Sequence, residues 1–208
     1  MSNKKCISVP VYSIFASVGR PDDEVKGDAV ETGLVNLLET LEEQKTDLLS
    51  QVERWPPEKL NHKAGAAEWS VLEMIDHIVK TEAAILSAAR AGLARPQRIG
   101  IGDRLRTAFL QKIFASDRKV KVPVSARHVL PGPSLQLAEI RARWNEGRDD
   151  LHRFVRRSDP DLLRKGIFKH PVGGWMGMQQ ILLFFSSHLI HHRYQLNRIA
   201  RSARVELA

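Results

Sequence analysis

Apolar residues recur at spacings of three, four and seven in four separate stretches of this chain, and no stretch of comparable strength alternates with the two-residue period of a strand. In the first stretch Leu34, Leu37, Leu38, Leu41, Leu48, Leu49 and Val52 share a side, with Glu39, Glu42, Glu43 and Lys45 read as outside. Trp55-Pro56-Pro57 ends it, because proline disfavours the helical region for the residue before it. The second opens with Ser70-Val71-Leu72-Glu73, a capping box, with Trp69 and Met74 placed as a hydrophobic staple. Its stripe of Val71, Ile75, Ile78, Ile85 and Leu86 carries it to about Leu93. The third follows Pro131-Gly132-Pro133, with Ser134 as its expected cap, and runs through Leu137, Ile140, Trp144, Leu151 and Phe154. The fourth spans about residues 176–201. Four amphipathic helices with no strand signal predict an all-α protein, a four-helix bundle.

The connection between the second and third of these helices is about 40 residues long. A structureless loop of that length is unusual in a compact domain. Residues 103–115 read as a short extra helix, with Leu105, Phe109, Ile113 and Phe114 on one side. Short links make neighbouring helices antiparallel, so a long crossover suits a parallel pair here. The expected division is an N-terminal arm over 1–29, the bundle over 30–202 and a tail over 203–208.

Two lysines before a mildly apolar stretch near the N-terminus mimic a secretory leader, but Pro10 interrupts it and no A-x-A cleavage site follows. The longest apolar run, Ile181 to Phe185, falls far short of the roughly 18–20 residues of a membrane span. A single cysteine, Cys6, excludes a disulfide framework and any cysteine-rich zinc module. These features predict a cytoplasmic protein whose 208 residues form a sizeable core unaided.

Charge is uneven. Residues 1–100 carry 12 basic and 15 acidic side chains, whereas residues 101–208 carry 20 and 9. The densest stretch, residues 104–127, has seven basic side chains against Asp117 alone. Such asymmetry reads either as a solvated basic face or as attraction to an anionic substrate, nucleic acid or membrane surface. Nucleic acid is disfavoured by an aromatic content of 6% and the lack of any recognition or stacking motif.

The fourth helix carries the anomaly. Its stripe runs Met178, Ile181, Phe185 and then continues in register to His188, His192, Gln195 and Ile199. Burying an unpaired polar group costs roughly 2–7 kcal/mol, so these residues need partners. His188 and His192 are four apart and project from one face, a spacing at which a helix offers two nitrogens to one metal ion. A satisfied core pair is the plain alternative. His77, at the border of the second helix's stripe, is the natural third donor, and three imidazoles suit zinc, nickel, copper or iron better than magnesium or calcium. His191 points about 100° from His192 and reads as outer or surface. Asp76 or Glu73 could orient an imidazole, and Gln195 could bind a substrate beside the metal. Trp69 and Trp175, each just before one of these helices, read as core-edge anchors or as lining of a pocket mouth.

Two segments together resemble the DinB-like superfamily. One is the H-P-x-x-G … H-x-x-x-H-x-x-Q pattern from His170-Pro171 through Gly174 to His188, His192 and Gln195. The other is the W-S-x-x-E-x-x-x-H-I pattern of Trp69, Ser70, Glu73, His77 and Ile78, with Glu82 beyond it. The resemblance covers about residues 34–198. It implies a bundle in up-down-down-up order and a divalent metal on His77, His188 and His192. It also implies a homodimer, and in some members transfer of small-molecule thiols such as bacillithiol to electrophiles, with mycothiol-dependent isomerases among the relatives. The N-terminal arm and residues 104–127 match no motif of that family.

A metal held by three neutral imidazoles keeps its charge and lowers the pKa of a bound water or thiol. Cys6 lies in the arm, so the thiol would be an external cosubstrate, low in molecular weight and anionic. The leading expectation is therefore a metal-dependent thiol transferase or related hydrolase acting on small molecules, with zinc or nickel as the ion. The alternatives are a non-catalytic metal-binding bundle serving as a scaffold or stress-response protein, and anionic binding through the basic half.

Overall fold

Leu34, Leu38, Leu41, Leu48, Leu49 and Val52 are all buried, and the helix they define, α1 (Val25–Val52), reaches back beyond residue 30. A computed structural model describes residues 25–133 and 136–206, with side chains in α1 from residue 32 onward. Residues 1–24 of the arm expected over 1–29, Cys6 included, and Ser134 lie outside the described residues.

Helix α2 (Val71–Gly92) starts as its sequence dictates. The Ser70 hydroxyl accepts from the Glu73 amide at 3.2 Å, and the Ser70 amide donates to Glu73 Oε2 at 2.8 Å. Two of the amides that every helix start leaves without partners are thereby satisfied. Helix α4 (Leu137–Arg157) has Gln136 at its cap position with no side-chain cap. A short helix α5 (Pro160–Leu163) follows Asp159, whose carboxylate accepts from the Asp161 amide at 2.8 Å. The last long helix, α6 (Met178–Ala203), ends with Arg204 in the left-handed region.

These helices form the bundle. α1 lies along α6, α2 is flanked by α4 and α6, and α1 also meets α4. Between α2 and α4, which are adjacent, the chain takes a long excursion through α3 (Ile101–Phe114) and a 3-10 turn (Val124–Val129) that packs on α2. An excursion of that length is what a crossover between parallel neighbours requires.

Three expectations change. The buried face of α3 is Thr107, Leu110, Gln111 and Phe114, while Leu105 and Phe109 face solvent. The extra helix packs on α6 and the hairpin described next, and that contact chooses a face that its own apolar residues do not favour. Lys45, read as outside, is buried and donates to Asn145 Oδ1 at 3.1 Å. Finally, a small antiparallel hairpin of β1 (Phe168–His170) and β2 (Gly174–Met176) precedes α6. With three residues per strand it is too short to leave a periodic trace.

The hairpin joins α3 to the bundle. Asp103 caps α3 through the Gly100 amide at 3.0 Å and also accepts from the Trp175 amide at 3.2 Å. Thr107 donates to the Gly173 carbonyl at 3.0 Å. Gly174 has φ +75°, and a Cβ there would stand 2.3 Å from Asp103 Oδ1, so both conformation and space demand glycine.

Candidate metal centre

His77 sits in the second turn of α2, on a helix whose start is fixed by the capping box. His188 and His192 lie one turn apart on α6, which packs against α2. The bundle thus brings together the three histidines that the sequence singled out. One ring nitrogen from each lies within 4.8 Å of the others, and the residues are 5%, 3% and 3% exposed in chain order.

Two of the three rings are held by their outer nitrogens. His77 Nδ1 donates to the Val129 carbonyl at 2.9 Å, and His192 Nδ1 donates to Gln195 Oε1 at 2.9 Å. Those bonds fix the tautomer and leave each Nε2 with a lone pair, the arrangement found around metal-binding histidines. His188 Nε2 donates to His192 Nε2 across 3.0 Å. Two nitrogens about 2.0–2.1 Å from one ion stand roughly 2.8–3.4 Å apart for bond angles between 90° and 109°, so the donor pair fits a single cation.

Electrostatics agree with that fit. Burial holds all three imidazoles below the ordinary histidine range, His188 and His192 well below it, and repulsion from neighbouring histidines, His191 included, adds to the effect. They are therefore neutral near pH 7, the form that ligates. The cluster's walls are aromatic. Trp69 lies against His77 with centroids 4.8 Å apart, Phe184 stacks on His188 at 5.5 Å, and Phe114 meets His188 edge-on at 5.4 Å.

The neighbouring candidates divide. Gln195 engages His192 through its oxygen, which leaves its amide nitrogen for any ligand. Asp76, fully buried, touches no imidazole; it accepts from the Gly132 amide at 3.0 Å, Arg143 at 2.7 Å and Lys80 at 2.8 Å. It thereby anchors the loop that follows the 3-10 turn, and the last residue of that turn supplies the Val129 carbonyl to His77. Burial pushes the Asp76 carboxyl up, but the bonds from Lys80, Gly132 and Arg143 outweigh it and hold it below the usual range. Glu73 caps α2 and pairs with Lys63.

His191 is buried rather than superficial, its ring 5.3 Å from Phe114, with Nδ1 facing the Ser116 carbonyl at 3.4 Å. His170 accepts from the Val172 and Gly173 amides at 3.1 and 3.0 Å and so closes the hairpin turn. Burial lowers its pKa to about 4. Of the two tryptophans, Trp69 lies at the cluster, whereas Trp175 packs against Gly166 beneath Lys169.

Sequence reasoning missed several participants. The Val129 carbonyl comes from 52 residues beyond His77 and leaves no signal in side-chain type. Phe114 and Phe184 were visible only as apolar residues. A second buried polar cluster was also missed. Glu82 accepts from Trp144 Nε1 and Arg148 Nε, both at 2.9 Å, and from Arg148 Nη2 at 2.8 Å. A signal was present, because Glu82 and Arg148 each occupy the core-facing register of their helix.

A sequence model of the DinB superfamily matches residues 40–196. The chain belongs to the DinB superfamily. Among solved structures it is similar to YfiT from Bacillus subtilis, described as a probable metal-dependent hydrolase with an unusual four-helix bundle topology. The two share 15% identity at a TM-score of 0.57, over 90% of this chain and 95% of that one. At that identity the likeness speaks to the DinB fold alone. No curated protein sequence matches this chain.

Proposed function

We propose that this DinB-superfamily protein is a metal-dependent enzyme acting on small molecules, a hydrolase or a thiol-dependent transferase, with its divalent ion on His77, His188 and His192. The observation that carries this reading is the convergence of three buried neutral imidazoles, two of them oriented by acceptors on their outer nitrogens. YfiT's description as a probable metal-dependent hydrolase supports the reaction class. Zinc or nickel suits an all-imidazole donor set.

The bound ion supplies a positive charge that polarises a substrate and lowers the pKa of water or of a thiol cosubstrate. The chain's own residues do the rest. Val129 and Gln195 hold the rings of His77 and His192 in their ligating orientation. Trp69, Phe114 and Phe184 form an apolar wall that strengthens charge interactions by excluding water. The Gln195 amide nitrogen would serve as a donor to a substrate beside the ion.

The depth of the cluster favours a second reading, a non-catalytic metal-binding bundle, since ligands this buried suit a closed site. Metal analysis comes first: about one equivalent per chain in the wild type, and little in His188→Ala, after loose ions are removed and zinc or nickel is restored. Activity then separates the readings. The loaded protein is offered nitrophenyl esters, and monochlorobimane with small thiols. Turnover that His188→Ala abolishes supports the enzyme; one tight equivalent with no turnover supports the scaffold. Neither protein retaining metal would mean that the histidines only pack the core.

A further inference from the structure

Helix α3 turns its most apolar residues outward. Ile101, Leu105 and Phe109 are 79%, 67% and 63% exposed, at successive positions four apart, so they form one stripe along the helix. Isolated exposed apolar side chains need no explanation, but a contiguous stripe marks an interaction surface. Its borders are cationic. At about 100° per residue, Arg104 falls roughly 60° to one side of Ile101 and Arg106 roughly 60° beyond Phe109, with Lys112 inside the stripe. The acid nearest by sequence, Asp103, is tied to Arg106 and to the Gly100 and Trp175 amides.

At the start of the helix the stripe runs into a half-open cleft of about 580 Å³. Arg98, Arg104, Arg164 and Lys165 line it beside Ile99 and Ile101, and among the described residues no acid does. Arg164 itself pairs with Asp161.

We propose that this face docks the protein on an anionic phospholipid bilayer, with Ile101, Leu105 and Phe109 dipping between acyl chains and the cleft holding a phosphate headgroup. Charge complementarity selects this occupant. A second copy of the chain would set Arg104 and Lys112 against their own kind, with Arg106 already paired to Asp103. A bilayer interface accepts a convex helix whose long cations reach back toward headgroups. The contact is peripheral, because no described helix is long and apolar enough to cross a membrane. It is independent of the metal reading, and none of these residues touches the histidine cluster.

Cosedimentation of the full chain with unilamellar vesicles tests it, comparing pure phosphatidylcholine with a 7:3 mixture of phosphatidylcholine and phosphatidylglycerol at 100 mM salt. Partition onto the anionic vesicles is expected to be at least tenfold stronger. Leu105→Ser with Phe109→Ser lowers it at least tenfold while the melting curve and metal content stay unchanged. Arg98→Gln with Arg104→Gln also weakens it and flattens its salt dependence. Equal partition onto both vesicles overturns the proposal. So does binding that Leu105→Ser with Phe109→Ser leaves intact. A concentration-dependent dimer that the same pair dissolves, without vesicle binding, assigns the face to a second copy instead.

Discussion

His192 has one ring nitrogen bound to Gln195 and the other facing His188, so its chemistry is set by a side chain three residues along the same helix. Outer partners of this kind typically change metal affinity by about 10–100-fold when removed. Gln195→Leu is accordingly expected to weaken zinc binding by roughly that factor in competition with a chromophoric chelator, with the helical content unchanged. Protonation gives a second prediction. Burial lowers the pKa of His77, His170, His188, His191 and His192 in the folded chain. The unfolded chain binds these protons as the pH falls through about 6.5, while the fold resists them. Stability of the metal-free protein must therefore drop between pH 7 and pH 5. Thermal melts should show a falling midpoint over that interval, with a shallower fall in His188→Ala.

Each helix near the site is positioned by its ends. Ser70→Ala removes the hydroxyl that accepts from the Glu73 amide, two turns before His77, and should cost about 1 kcal/mol in urea denaturation. The hairpin is less tolerant. Gly174→Ala places a Cβ against Asp103 in a left-handed backbone conformation, which loosens the joint between α3 and the bundle. Limited proteolysis should then cut within residues 93–133 faster than in the wild type, because the Asp103–Trp175 and Thr107–Gly173 hydrogen bonds at that turn tie α3 to the hairpin.

Across the whole molecule, α1, α2 and α4 meet through charges. Glu82 lies deep against Arg148 and Trp144, and burial pushes its carboxyl up against the pull of Arg148. Glu42 approaches Arg148 at 3.7 Å and pairs with Lys45 at 2.6 Å. Removing one partner of a buried pair strands the other, so Arg148→Met should cost roughly 3–5 kcal/mol. The double variant with Glu82→Gln should recover part of that loss in chemical denaturation, a coupling expected of side chains in direct contact. Metal should act globally as well. An ion present at 1,000 times its dissociation constant adds about 4.1 kcal/mol, and a chain of this size gains roughly 2–4 °C per kcal/mol. A calorimetric shift of that order on adding zinc, absent in His188→Ala, would tie the cluster to the stability of the whole bundle.

The sequence by itself determined the helices, the cap of α2 and the histidine row on α6, because each depends on spacing within one segment. The same register test reaches further than its first use. Lys45, Glu82 and Arg148 interrupt the apolar rows of α1, α2 and α4 just as His188 and His192 interrupt that of α6, and all five are buried with partners. What only the tertiary structure decided is which interruptions meet. The Val129 carbonyl reaches His77 because Asp76 anchors the neighbouring loop, and α3 buries its polar Thr107 and Gln111 while exposing Leu105 and Phe109. Those outcomes turn on packing between segments far apart in the chain. No local period encodes them, since the free energy that selects a face belongs to the contact and not to the helix.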